Sequence, residues 1–334
     1  MAQSGMKIFR VLLLASLFTP LVKISAAEMD FATWLSGVRS EAEAKGIDPA
    51  ILDSALADIQ PIDKVLEADR KQPEFTMSFE DYMARVVNPN RVKDGRARLA
   101  QNRAQLKAIA QREGVPPQQI VAMWGIESDF GRLTGNFPVL PALATLAYDG
   151  RRSQYFRGEL MKALTMVAQG VPPAHMRGSW AGAMGQCQFM PSTYLAFAHA
   201  AEGDGPADIW SKQQDVWAST AHYLNGLEWK PGQPWGMLVK LPKRGMAPAL
   251  FGMEQSRPLQ DWTRLGLRRP DGKKLSGGAE VKFALIRVDG DKTGKGGEGP
   301  AYLVSDNFRA LLHWNRSFFF AVAAGTLADR IASR

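Results

Sequence analysis

Apolar residues recur at helical spacing through the first third of the chain. Phe31, Trp34, Leu35 and Val38 fall at i, i+3, i+4 and i+7, and Ile51, Leu52, Leu56 and Ile59 carry a second stripe that opens at Pro49. Asp48 before that proline is a predicted N-cap, because its carboxylate can accept a first-turn N–H and proline has none to leave unpaired. A long helix is predicted from 91 to about 113 through Leu99, Leu106 and Ile109. Gly114-Val115-Pro116-Pro117 ends it and starts another over 118 to about 128. Short helices with Gly/Pro joints continue to about residue 232. The period then changes: 238–241, 281–286 and 301–304 read as short strands separated by Gly, Pro and Asp-Gly turns. Gly290 to Gly299 lacks the spacing and the Lys-Ser/Thr of a phosphate loop and reads as a hairpin connection. From 307 to 334 a single helical stripe returns through Leu311, Leu312, Phe319, Val322 and Leu327.

With 46% hydrophobic and 22% charged residues, the composition is that of a globular protein and excludes a disordered chain. Cys187 is the only cysteine, which excludes an intrachain disulfide and a multi-cysteine metal site. Residues 1–27 read as an export leader. Lys7 and Arg10 precede the apolar run 11–22, and Ser25-Ala26-Ala27 offers a cleavage site before Glu28. Pro20 and Lys23 keep that run short of the roughly 20 residues of a membrane anchor. Removing the leader's three basic residues lowers the formal net charge from +8 to +5. The remaining positive charge suits an acidic envelope polymer or simple solubility. Nucleic acid is disfavoured, since an exported chain seldom meets it and no groove-reading motif is present.

Several chemistries fail on spacing. His175, His199, His222 and His313 are scattered with no HExxH, Ser179 lacks the flanking glycines of a nucleophile elbow, and Cys187 has no histidine beside it in sequence. Glu127, in Trp124-Gly125-Ile126-Glu127-Ser128-Asp129-Phe130-Gly131, stands differently. It closes an apolar helix, where desolvation would raise its pKa and keep it a proton donor near neutral pH; the alternative is a solvated glutamate of the last helical turn. Asp129 reads as a cap or turn residue. A second block runs Gly178-Ser179-Trp180-Ala181-Gly182-Ala183-Met184-Gly185-Gln186-Cys187-Gln188-Phe189-Met190-Pro191-Ser192. Its small residues, amides, hydroxyls and flat aromatic faces suit a sugar ligand, although small residues also permit close packing.

These two blocks, with Tyr148-Asp149-Gly150-Arg151-Arg152 and 156–160 between them, resemble the lytic murein transglycosylase B family, from about Phe31 to the C-terminus. The resemblance implies a mainly α (α+β) protein: a lysozyme-like helical core with an additional helical domain and a small β domain. The expected division is a signal peptide at 1–27, a helical domain at 28–98, a lysozyme-like catalytic core at 99–235, a small β domain at 236–306, and a C-terminal helix at 307–334 packing back on the core and the helical domain. It implies that Glu127 is the single catalytic acid and base. Ser179, Gln188, Phe189, Tyr82 and Tyr223 would contact substrate, as would Trp314, Asn315 and Phe320. Trp314 and Phe320 stand where the family has tyrosines, so hydrogen bonds made by those hydroxyls would be lost. The family's calcium loop would fall on Asp204, Asp208 and Asp215, but its first ligand position holds Ala200; the expectation is a weak or vestigial site and no cofactor.

The expected activity is non-hydrolytic cleavage of the MurNAc–GlcNAc bond in the periplasm, leaving 1,6-anhydro-MurNAc ends. The partners would be peptidoglycan glycan strands and cell-wall synthases, with no nucleic acid and no membrane anchor. Two competing readings are a hydrolytic muramidase of the same fold and a non-catalytic peptidoglycan-binding scaffold.

Overall fold

The computed structural model describes residues 30–71, 77–277, 280–290 and 294–333; the expected leader lies outside them. Six helices form the N-terminal part: α1 Phe31–Ala44, α2 Pro49–Leu56, α3 Asp63–Arg70, α4 Phe79–Val86, α5 Pro89–Gln101 and α6 Arg103–Glu113. Local chemistry sets their starts. Asp30, Asp48, Ser78 and Asn88 each accept a first-turn backbone N–H, and proline follows directly at α2 and α5. The predicted helix from 91 to 113 is two helices. Asn102 breaks it, its side-chain amide turning back to the Arg98 carbonyl where a continuing helix would present only backbone.

The centre of the molecule is α7 Pro117–Ser128, buried on nearly every side from Gln119 to Gly125. After it come β1 Phe137–Pro138, α8 Val139–Tyr148, α9 Ser153–Ala168, β2 Arg177–Gly178, α10 Pro191–Phe197 and α11 Gln213–Gly226. Beyond these, β3 Gly236–Val239, β4 Arg257–Pro258, α12 Leu259–Arg264, β5 Lys282–Arg287 and β6 Ala301–Val304 build an antiparallel sheet of order β3-β6-β5-β4. β5 and β6 pair directly, as the hairpin reading of the glycine-rich stretch requires. The sheet region has its own core around Trp262, Phe283 and Leu285, while one continuous core runs through the helices from Trp34 to Ile331.

The C-terminal stripe is also two helices, α13 Asp306–Trp314 and α14 Phe318–Ala332. Asn315 leaves the helix at φ −142°, ψ 122°, and the Ser317 hydroxyl caps α14 through the Phe320 N–H. α14 packs against α7, α5 and α4, so the end of the chain closes over the central helix. Among the described residues no helix is long and apolar enough to cross a membrane.

Candidate active site

Glu127 occupies the last turn of α7, and the turn that follows is fixed from several directions. Asp129 and Phe130 both adopt left-handed backbone, at φ 50° and 58°. The cost of that geometry is offset by the Ser128 hydroxyl accepting the Gly131 N–H and by ion pairs of Asp129 with Arg91 at 3.4 Å and Arg132 at 2.8 Å. Those guanidiniums hold the Asp129 carboxyl below its ordinary range, Arg132 bonding it most directly against a smaller upward push from burial. Asp129 is therefore a turn anchor. Buried Gln186 links the turn to its surroundings: its Oε1 accepts the Trp124 indole N–H at 2.8 Å, and its amide donates to the Trp210 carbonyl at 2.8 Å. A side chain on Gly131 would place Cβ 2.4 Å from that same Oε1.

The 178–189 block faces this turn. Ser179 is half-buried, and its hydroxyl oxygen accepts the Ala183 N–H at 3.1 Å, which leaves the O–H itself available to donate. Gln188, at φ 51°, donates both amide hydrogens to backbone, to Thr134 at 2.9 Å and Gly185 at 2.8 Å. It thus ties the 131–136 loop to the block with both of its side-chain N–H groups engaged. Gly135 lies so close that a Cβ there would sit 2.2 Å from the Gly178 carbonyl oxygen.

On the other side of Glu127 is an aromatic cage. Trp314 closes α13 with its ring 4.7 Å from Tyr223 and 5.5 Å from Phe189, and Tyr223 stacks on Phe197 at 4.5 Å. The Trp314 indole N–H donates to Glu127 Oε1 at 2.6 Å. The hydroxyl of the family's tyrosine is absent here, and the indole supplies a donor of its own. Glu127 keeps part of its surface accessible, yet burial pushes its carboxyl up to about 8, against a smaller lowering by the Trp314 bond. No neighbouring charge contributes to that shift. Burial likewise pushes the Tyr223 hydroxyl up, the Glu127 charge adding to it.

Two expected sugar contacts differ from the sequence reading. Phe189 is 2% exposed and Phe320 4%, so neither has a free face for a pyranose ring; Phe189 instead backs Tyr223 and Trp314. Half-buried Phe319, not Phe320, comes within 5.8 Å of half-buried Tyr82 on α4. The signal for it was present in Ser317, since a cap there shifts the start of α14 and rotates the following three phenylalanines. Asn315 is exposed at the break between α13 and α14.

The candidate calcium loop is already paired within the chain. Buried Asp215 accepts the Ala201 N–H on Oδ1 and the Asp208 N–H on Oδ2, both at 2.9 Å, and the Lys212 ammonium lies 3.2 Å from Oδ1. Asp208 Oδ1 accepts the Trp210 and Ser211 N–H groups at 2.9 and 2.8 Å, and its Oδ2 accepts the Ser211 hydroxyl. Burial pushes the Asp208 carboxyl up, but these bonds hold it below its ordinary range. Asp204 is exposed. Calcium needs six to eight oxygens turned toward one point, several of them carboxylate, and this donor set does not fit it. Among the described residues no three His, Cys, Asp or Glu side chains gather as a metal cluster.

Residues 30–329 match a family profile described as a transglycosylase SLT domain. The chain is 30% identical over 302 residues to the membrane-bound lytic murein transglycosylase B of Escherichia coli K12, covering 86% of this chain and 79% of that one. The crystal structure of SltB3 from Pseudomonas aeruginosa, in complex with NAG-anhNAM-pentapeptide, superposes with a TM-score of 0.84 at 42% identity, over 90% of this chain and 79% of that one. Escherichia coli lytic transglycosylase Slt35, in complex with calcium, superposes at 0.72 and 28% identity, over 89% and 92%.

Proposed function

The chain belongs to the lytic transglycosylase family, whose members act on peptidoglycan, and from that premise we propose that Glu127 is its one catalytic acid and base. The observation that carries this reading is a carboxyl raised to about 8 by burial with no neighbouring charge contributing to the shift. Such a group is protonated at neutral pH and can donate. Ordinary glycosidases pair two carboxylates, one to protonate the leaving oxygen and one to bring in water or attack carbon. Asp129, the nearest acid in sequence, is held by Arg91 and Arg132 as a turn anchor.

Protonated Glu127 delivers its hydrogen to the glycosidic oxygen between MurNAc and GlcNAc. The C1–O bond breaks, the GlcNAc unit leaves with a free 4-hydroxyl, and the muramyl C1 takes oxocarbenium character. The muramyl 6-hydroxyl then attacks C1 and gives its proton to the Glu127 carboxylate. The acid is restored, a 1,6-anhydro ring has formed, and no water is consumed. Ser179, whose O–H is available to donate, is read as orienting the 2-acetamido group. Trp314 and Tyr223 are read as the apolar surface beside Glu127 against which the sugar lies.

Purified sacculi digested with the mature chain should release muropeptides lighter by one water than the products of a hydrolytic muramidase. Mass spectrometry reads the difference. Reducing-end products would identify a muramidase instead, and binding without turnover a scaffold. We also infer export to the periplasm through the 1–27 leader, which N-terminal sequencing of the secreted protein would place at or near Glu28.

The loop at 200–215 is read as independent of metal, with the Lys212 ammonium supplying the positive charge beside Asp215. Calcium in excess, or EDTA, should then move the melting temperature by less than about 1 °C, since only a ligand bound by the native state raises stability. A calcium-dependent rise of several degrees would overturn this assignment.

A further inference from the structure

Trp314 differs from the other aromatic residues of the cage because it touches the reactive carboxyl itself. We propose that Trp314 is the positioning residue of Glu127: its indole N–H, a donor with no acceptor capacity, occupies Oε1 and confines the exchangeable proton to Oε2. The inference rests on Glu127 being the acid and base. A protonated Oε1 would be left to accept the N–H through the weaker lone pair of a hydroxyl oxygen, so a bond of 2.6 Å favours the carbonyl form at Oε1 and the proton on Oε2. Oε2 is then the atom that gives the proton to the leaving oxygen, and the atom that receives the next one from the 6-hydroxyl. One oxygen does both transfers while its twin stays bonded.

The surroundings make this bond a fixed one. Trp314 is the last residue of α13, and the chain turns extended at Asn315, which stops the ring from following a continuing helix. Tyr223 at 4.7 Å and Phe189 at 5.5 Å confine two sides of the indole. Phe189 is 2% exposed and Tyr223 is itself stacked on Phe197, so these supports do not swing aside. A hydroxyl in this place, as the family resemblance implies, could rotate and either donate or accept. The indole cannot, so the site of this chain is restricted to one arrangement of the acid.

The consequence can be measured apart from any packing role. The N–H bond favours the ionised form of Glu127, so removing it raises the carboxyl's pKa further. Activity that needs the protonated acid falls as pH rises through that pKa. The basic limb of the profile must therefore move to higher pH when the donor is lost.

The experiment compares the native chain with Trp314→Phe, and with benzothienylalanine incorporated at position 314. The second keeps the bicyclic ring and replaces N–H by sulfur. Rates are measured on a soluble tetrasaccharide of alternating GlcNAc and MurNAc. Both variants should lose about tenfold in kcat with KM changed less than about twofold, and their basic limb should rise by roughly half to one pH unit. A raised KM with native kcat and an unmoved limb would make Trp314 only a surface on which sugar rests, and would overturn the assignment. Should Trp314→Phe fail to fold, the isosteric replacement decides alone. Glu127→Gln is run beside them. If it still turns over, the acid–base reading fails; if it is inactive and the limb is unmoved in the 314 variants, only the role given to Trp314 fails.

Discussion

Glu127→Gln should lower turnover of the glycan by about 10³-fold or more and, at pH 8, melt at a higher temperature than the native chain. The amide keeps the size of the carboxyl and can still accept the Trp314 N–H, so the site stays filled while its transferable proton is gone. The gain in stability follows from the position of the pKa. Below about 4.5 both the folded and the unfolded chain hold the proton. Between there and about 8 only the folded chain does, so stability falls as pH rises, by at most about 1.4 kcal/mol per pH unit. Water reaching the open edge of Glu127 reduces that slope. Above about 8 both forms are ionised and the loss levels off. Glutamine has no such slope. Thermal melts of the two proteins at pH 5 and pH 8 should diverge as pH rises; a constant difference across that range would show that the carboxyl is not held in its protonated form by burial.

The second large effect is expected at Gly135. Its φ is +81°, and a methyl group there would lie 2.2 Å from the Gly178 carbonyl oxygen and 2.6 Å from the Ser179 nitrogen. Both obstacles are backbone, so no side chain can swing aside. Gly135→Ala should cost roughly 2 to 4 kcal/mol, combining left-handed strain with overpacking. It should also lower activity about tenfold, because the 131–136 loop and the Ser179 turn must separate and Gln188 then loses its bond to Thr134. Denaturant melts and sacculus turnover test this. Native values for both would mean that the close approach of the loop to the block is not needed for stability or turnover.

The elements with strong local signals were legible before folding. Asp48-Pro49 opens its helix with the expected cap, α7 begins at the Pro116-Pro117 joint, and the three short apolar runs after Trp235 are the strands β3, β5 and β6. Both misread helices share a cause. An apolar stripe continues across Asn102 and across 315–317, and periodicity cannot register a break when the residues on either side lie on compatible faces. At Asn102 the side chain bonds the Arg98 carbonyl where the first helix ends, and at Ser317 the hydroxyl accepts the Phe320 N–H where the next one starts. The apolar setting of Glu127 was readable from the hydrophobic run before it. Its partner was not, because Trp314 lies 187 residues further along the chain and no local pattern joins them. The same limit explains the rings. Aromatic residues near the motif were visible, but which had an open face depended on packing between α10, α11, α13 and α14.

The break at 315–317 also gives the protein a timetable. Glu127 is synthesised early, whereas the indole that bonds it and the helix that packs on α7 follow 187 or more residues later. A nascent polypeptide that has not yet reached Trp314 therefore carries Glu127 without its indole donor and without the helix that packs on α7.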